Sequence, residues 1–229
     1  MTTPSTPQND IRQIIGAYDT PIIRIYSWGR FKILRQRFLS EIGQYLPPSG
    51  HILDLGCGFG LFSLYFAKRY PNLHITGIDL NPTRIHAARK AARTLGLKNV
   101  EYEVGDVTTF TFHEKFDAAY MLDIIHHIPC QAVPPLIKKL YGLLKNDSRL
   151  ILKDVDTKPT YKRWFTYVLD KLIYRQAEVH YWELEELTKL LASAGFQVFT
   201  HAMVDYLPFP HLLYICQKSL GVGNVPMKS

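Results

Sequence analysis

The stretch HILDLGCGFG, residues 51–60, joins an apolar run to a loop that contains three glycines. The run HILDL predicts a buried strand with Asp54 near its end, and the residues after the loop predict a helix. Gly56, Gly58 and Gly60 have no side chains, so a ligand can approach the backbone N–H groups at the start of that helix. The stretch therefore predicts a strand, a turn and a helix that together hold a nucleotide-like cofactor.

Outward from this loop, apolar runs alternate with helical patterns. The patterns predict strands at 51–56, 73–80, 100–106, 116–123, 149–156, 197–205 and 212–218, and helices at about 60–70, 82–95 and 133–144. A further helix covers ELEELTKLLASAGF and is stopped by Gly195. This alternation predicts an α/β fold whose mainly parallel sheet is covered by helices on both faces.

Composition narrows the class of protein. The chain has 229 residues, of which 47% are hydrophobic and 21% charged, as in ordinary globular proteins. The first ten residues lack the pattern of a secretory signal, and no apolar run approaches bilayer-spanning length. We therefore expect a cytoplasmic protein. The alternative is peripheral docking at the inner membrane face. Cys57, Cys130 and Cys216 have no CxxC spacing, which argues against a disulfide framework and predicts no bound metal. The net charge of +7 suits nucleic acid, an anionic membrane or an acidic substrate.

The spacing of the glycines separates two classes of cofactor. A dinucleotide-binding loop reads G-x-G-x-x-G, whereas here the third glycine comes one residue early and an acid lies two residues before the first. With DLGCGFG, the sequence resembles the class I methyltransferases that use S-adenosylmethionine (SAM). The resemblance continues in order through GIDL, GDV and YMLDIIHHI, which end the next three predicted strands.

The resemblance implies both the architecture and the cofactor site. The implied fold is a seven-stranded, Rossmann-like methyltransferase sheet with the last strand antiparallel. Asp79 is implied to accept hydrogen bonds from the ribose hydroxyls, and Asp106 and Val107 to bind the adenine ring. The full set of implied cofactor-binding residues is Asp54, Gly56, Cys57, Gly58, Gly60, Asp79, Leu80, Asp106, Val107, Leu122 and Asp123.

Methyl transfer needs few catalytic side chains, because the sulfonium of SAM already activates the methyl group. A base is needed only when the acceptor loses a proton. His126 and His127, just past the fourth strand, are the candidate bases, with capping or packing as their alternative role. Tyr18 is a weaker candidate, and packing on the sheet is its alternative. The neighbouring candidates for acceptor contact are Asp154, Asp156, His180 and Tyr181.

Two basic amphipathic segments flank the cofactor motifs. The N-terminal segment combines Ile22, Ile25, Tyr26, Trp28, Phe31, Leu34 and Phe38 with Arg24, Arg30, Lys32, Arg35 and Arg37. The insert after the fifth strand combines Tyr161, Trp164, Phe165, Val168, Leu169, Leu172 and Ile173 with Lys158, Lys162, Arg163, Lys171 and Arg175. Three interpretations stay open: a lid that walls an apolar acceptor pocket, docking on an anionic membrane surface, and binding of nucleic acid, which is the least favoured.

The sequence thus predicts a single methyltransferase domain over 1–229. Its parts are an N-terminal helical cap (1–48), a SAM-binding core (49–156), a helical lid insert (157–181), and a C-terminal helix with a strand hairpin (182–229). The predicted function is methyl transfer from SAM to an apolar small molecule that is aromatic, quinone-like, lipid or acyl-linked. Alternatives are a membrane-surface lipid methyltransferase, an RNA or DNA methyltransferase, an NAD-dependent oxidoreductase, and a catalytically silent SAM-fold protein.

Overall fold

The computed structural model describes residues 6–34, 36–155, 180–203 and 211–219. Its centre is a seven-stranded sheet in the order β3-β2-β1-β4-β5-β7-β6. The strands are β1 (Gly50–Leu55), β2 (Leu73–Asp79), β3 (Val100–Val104), β4 (Phe116–Leu122), β5 (Leu144–Val155), β6 (Gln197–Met203) and β7 (His211–Gln217). Strand β7 runs antiparallel to both of its neighbours, while β1 to β5 pair in parallel, so the predicted α/β architecture is confirmed.

Helices cover both faces of this sheet. They are α1 (Pro7–Gly16), α2 (Pro21–Ile33), α3 (Gln36–Gly43), α4 (Leu61–Arg69), α5 (Pro82–Thr94), α6 (Val133–Leu143) and α7 (Leu184–Ser193), with short 3-10 turns at Ile125–His127 and Cys130–Ala132. One core cluster joins the sheet to α1 through α5, and the other joins it to α6 and α7. Burial of these two apolar layers is the main favourable term for such a fold.

Local chemistry explains where the helices begin and end. The side chain of Asn81 accepts hydrogen bonds from the N–H groups of Thr83 and Arg84, and Pro82 occupies the first helical position, as predicted. Gly195 follows α7 with a φ of 105°, a conformation that a side chain disfavours. These signals fix the directions in which the chain enters and leaves the sheet.

Several boundaries differ from the prediction. Strand β5 begins at Leu144 instead of residue 149, because Leu144 already pairs with Phe116 before a register shift in the ladder. The residues at that shift are polar and include Asp147 with a φ of 59°, so the apolar pattern does not show the start of the strand. Strand β4 ends at Leu122, so Asp123 lies just outside it. The N-terminal segment forms two helices, of which α2 ends at Ile33 and α3 begins at Gln36.

Parts of the N-terminal segment and of the insert lie outside the described residues. The helical pattern of the insert and Asp156 lie outside the described residues, and so does residue 35. The division of the chain into cap, core, lid and hairpin remains a prediction. Within the described residues, no helix combines the length and apolar character needed to cross a membrane.

Candidate active site

A cavity of about 1240 Å³ lies at the carboxyl ends of the central strands, where open α/β sheets bind their ligands. The predicted residues that line it are Asp54, Gly56, Cys57, Gly58, Asp79, Leu80, Asp106, Val107, Leu122, Asp123, His126 and His127. Gly60 and Tyr18 are not among the lining residues. The parallel strands thus bring together side chains that lie far apart in the sequence.

The glycine loop forms one wall of the cavity. The N–H group of Gly56 donates to the Ile78 carbonyl at 2.8 Å, which ties the loop to β2. Gly58 has a φ of 56°, and a Cβ atom added there would meet no atom within 4 Å, so its bare side faces open space. Gly60 is the N-cap residue just before α4, and a Cβ there would lie 2.5 Å from the Tyr102 hydroxyl. Gly58 therefore leaves room for a ligand, whereas Gly60 leaves room for protein.

Two carboxylates lie at the carboxyl ends of β1 and β2. Asp54 is 3% exposed, and its burial raises the pKa of the carboxyl to about 7 although the Tyr120 hydroxyl donates to it at 3.0 Å. Asp79 accepts the N–H of Gly58 and the N–H of Asn81, each at 2.9 Å. Each Asp79 oxygen keeps a second lone pair, so the carboxylate can still accept hydrogen bonds from two ribose hydroxyls.

The remaining predicted cofactor residues form a mixed surface. Asp106 lies exposed at the rim, with one oxygen accepting hydrogen bonds from the N–H and the hydroxyl of Thr108. Val107 and Leu122 are buried apolar residues that also line the cavity, while Leu80 is 69% exposed. Burial raises the pKa of the Cys57 thiol well above its ordinary value, so this residue is neutral.

These residues fit SAM. The open side of Gly58 provides a cradle that a Cβ would fill, and Asp79 at the end of β2 has lone pairs available for ribose hydroxyls. The apolar side chains of Val107 and Leu122, together with the carboxylate of Asp106, suit a purine ring. The buried carboxyl of Asp54 suits a positively charged ligand, because a nearby cation stabilises its ionised form.

The two adjacent histidines have different surroundings. The His126 ring is buried, and its Nδ1 atom lies 2.5 Å from Oδ1 of Asp154. Burial lowers the pKa of His127 to about 4, and the neighbouring His126 contributes to that shift, so His127 is a neutral, weak base at pH 7. A carboxylate at Nδ1 fixes the tautomer and the orientation of the His126 ring, so that the lone pair lies on Nε2, as in hydrolase triads. Of the two, His126 is better suited to accept a proton.

The last two residues of the predicted insert, His180 and Tyr181, pack over His126. The N–H of His180 donates to the carbonyl of His126 at 2.9 Å, and the Tyr181 ring stacks on the His126 ring with 5.7 Å between centroids. Asp154, predicted as an acceptor contact, is 4% exposed and instead supports His126. Its role in the structure is to orient another side chain.

The structure places Tyr18 away from the cavity. Tyr18 is 2% exposed, its hydroxyl donates to the carbonyl of Phe59 at 2.7 Å, and burial raises its pKa well above the ordinary value. It therefore supports the glycine loop from behind, as its alternative role in core packing implies. Tyr18 does not line the cavity as a base would, because α1 and its C-terminal turn lie against α4.

Sequence reasoning missed an ion cluster beside the histidines. Asp123 forms ion pairs with both Arg30 of α2 and Lys153 of β5, and Lys153 is 1% exposed. A single lysine inside the buried run LILKD was the available signal, since a buried ammonium requires a carboxylate partner. Asp123 and Arg30 line the cavity, so the cluster joins the N-terminal helices to the site.

Among the described residues, the side chains with metal-ligand spacing lie elsewhere. His51, His74 and Glu101 have ligand atoms within 4.8 Å of one another. They lie on β1, β2 and β3 at the end of the sheet opposite the cavity. This group is therefore separate from the site.

Comparison with known proteins agrees with this geometry. A family profile described as a methyltransferase domain matches residues 52–147. Phosphoethanolamine N-methyltransferase 1 from Zea mays is 34% identical over 155 residues, which are 66% of this chain but 29% of the maize protein. The matched region thus spans under a third of that relative.

Solved structures extend the match. A SAM-dependent methyltransferase from Methanosarcina mazei has 26% identity and a TM-score of 0.65, and the match covers 79% of this chain and 97% of that one. The [4+2]-cyclase SpnF shares the fold at 18% identity and a TM-score of 0.67, over 81% of this chain and 82% of that one. With the glycine loop, the strand order and these matches together, the chain belongs to the class I SAM-dependent methyltransferases.

Proposed function

We propose that this protein transfers the methyl group of SAM to an apolar small-molecule acceptor. The observation that carries the proposal is the shared cavity, in which the Gly58 cradle and Asp79 lie with a histidine oriented by Asp154. SAM, when bound, supplies an activated methyl group on its sulfonium. The residues of the chain bind and orient the two substrates, exclude water and accept a proton.

His126 is the proposed base. With Asp154 at Nδ1, the Nε2 atom of the ring is the one that accepts a proton from the acceptor, and the Asp154 carboxylate then stabilises the imidazolium. His127 contributes little as a base, because a pKa of about 4 gives it low proton affinity. Such a base suits a phenol-like hydroxyl or an activated carbon, whereas an amine can react as the free base without it.

The apolar part of the cavity lining supports an apolar acceptor. It includes Ile25, Tyr26, Ile33, Phe59, Phe62 and Ile128. The Arg30 guanidinium also lines the cavity, and it pairs with the carboxylate of Asp123. Aromatic, quinone-like, lipid and acyl-linked molecules all fit this chemistry, and so does an acceptor taken from a membrane. The maize relative is named for a polar amine acceptor, so an amine belongs in the acceptor panel as well.

The test begins with calorimetric titration of the whole chain with S-adenosylhomocysteine (SAH), in parallel with NADH. We expect micromolar binding of SAH alone, followed by methylated product in a panel of phenols, quinones, amines and acyl-carrier thioesters supplied with methyl-labelled SAM. Binding of NADH alone would instead support an oxidoreductase. Binding of SAH without product from any acceptor class would favour a silent SAM-fold protein, or other chemistry in this fold, as the name of the cyclase SpnF illustrates.

A further inference from the structure

Helix α2 presents its apolar side to solvent. Ile22 is 80% exposed, Ile25 69%, Trp28 57% and Tyr26 41%, and their spacing places them on one broad face of the helix. We call this the outer face of α2. The opposite face, which includes Phe31, is buried against the body of the protein. An ordinary surface helix buries its apolar side, so this orientation is the reverse of the usual one.

The charge of this helix indicates what covers the outer face. Helix α2 contains Arg24, Arg30 and Lys32 and no acidic residue. Arg24 donates to the carbonyls of Tyr18 and Gly16, and Arg30 pairs with Asp123, so Lys32 is the cation of this helix that accompanies the outer face. The Lys32 ammonium lies 5.3 Å from the centre of the Trp28 ring, so a positive charge sits within the apolar surface. Apolar side chains with interspersed cations match the boundary between anionic headgroups and acyl chains.

The outer face is continuous with the mouth of the cavity. Ile25, Tyr26 and Gly29 line the cavity, and the first two also belong to the outer face. Leu80, which also lines the cavity, is 69% exposed. Any surface that covers α2 therefore also faces the cavity entrance.

We infer that the outer face of α2 docks on an anionic lipid surface and holds the cavity mouth at the level of the headgroups. An apolar acceptor partitions into the bilayer, and docking lets it pass into the cavity without crossing water. The statement about the acceptor rests on the proposed methyl transfer, whereas docking itself is measured without turnover.

The experiment is co-sedimentation of the full chain with vesicles at low ionic strength. One set of vesicles contains phosphatidylglycerol mixed with phosphatidylcholine, and the other contains phosphatidylcholine alone. We expect the wild type to bind the anionic vesicles and added salt to reduce this binding. Trp28→Ser should bind about tenfold or more weakly, because the variant has no indole to bury in the lipid. Ile22→Ser should act in the same direction. Phe199→Ser is the matched control, since Phe199 is 56% exposed but lies on β6.

Three outcomes would overturn the docking. They are no binding of the wild type to anionic vesicles, equal losses for Trp28→Ser and Phe199→Ser, and a dimer that Trp28→Ser dissociates while vesicle binding persists. The third outcome would assign the outer face to a second copy of the chain. SAH titration of the same proteins separates the two proposals: vesicle binding without SAH binding leaves docking standing and removes methyl transfer, and the reverse result does the opposite.

Discussion

Acidification from pH 8 to pH 6 should weaken SAH binding about tenfold through protonation of Asp54. Burial raises the pKa of this carboxyl to about 7, and the ammonium group of the cofactor's methionine portion favours its ionised form. If only the carboxylate binds, affinity follows the ionised fraction, which is about 90% at pH 8 and about 9% at pH 6. The difference corresponds to about 1.4 kcal/mol of binding free energy.

Calorimetry in two buffers of different ionisation enthalpy measures both the affinity and the protons released. We expect about 0.9 proton released per SAH at pH 6 and about 0.1 at pH 8. Asp54→Asn should remove this dependence, because an amide oxygen still accepts the Tyr120 hydroxyl but does not titrate in this range. Equal wild-type affinity at both pH values without proton release would refute the reasoning, and so would an unchanged pH dependence in Asp54→Asn.

Without cofactor, the same raised pKa implies a stability contribution from Asp54 that is fully present below pH 3.8 and lost as the pH rises through about 7; urea unfolding of Asp54→Asn should lack this component. Gly58→Val should abolish SAH binding in a folded protein, because the branched side chain enters the ligand space, whereas Gly142→Ala, also free of neighbours within 4 Å, should bind normally. His126→Ala should lower kcat about 10²–10⁴-fold with SAH affinity retained, and His127→Ala should have a smaller effect. If the two variants had equal activity, His126 would not be the base. Tyr18→Phe should destabilise the fold by about 1–3 kcal/mol in urea unfolding, because the Phe59 carbonyl loses its donor, and an unchanged unfolding midpoint would contradict that role.

The sequence was sufficient for the parts of the fold that depend on local chemistry. Apolar runs that end in Asp54 and Asp79 predict strands, and the cap formed by Asn81 and Pro82 predicts the start of a helix. Parallel strands deliver their carboxyl ends to one edge, so the residues after them converge without further information. For this reason nearly all predicted cofactor residues line one cavity.

Contacts between residues that are far apart in the chain could not be predicted from the sequence. The partner of His126 is Asp154, 28 residues away, and which of the two adjacent histidines is better placed as a base depends on that contact. Periodicity indicated that the N-terminal segment is amphipathic, but it does not specify which side of a helix faces the sheet. The exposure of Trp28 and the burial of Phe31 are set by how α2 packs in three dimensions.

The ion cluster explains why a single residue can influence both the fold and the site. Asp123 has a φ of 59°, its N–H donates to the Lys153 carbonyl at 2.9 Å, and its carboxylate pairs with Lys153 and Arg30. Burial lowers the pKa of Lys153, and the neighbouring Asp123 charge opposes that shift. Removal of the carboxylate would leave a buried ammonium unpaired, at a cost of about 3–5 kcal/mol, and would also release the link from Arg30 to the strand end. A loss of SAH affinity in Asp123→Ala therefore combines three effects: a shift of α2, a less stable fold and the loss of any direct contact with the cofactor. The double variant Asp123→Ala with Lys153→Met removes the unpaired ammonium as well. A loss of affinity that persists in the double variant is therefore not caused by the unpaired charge.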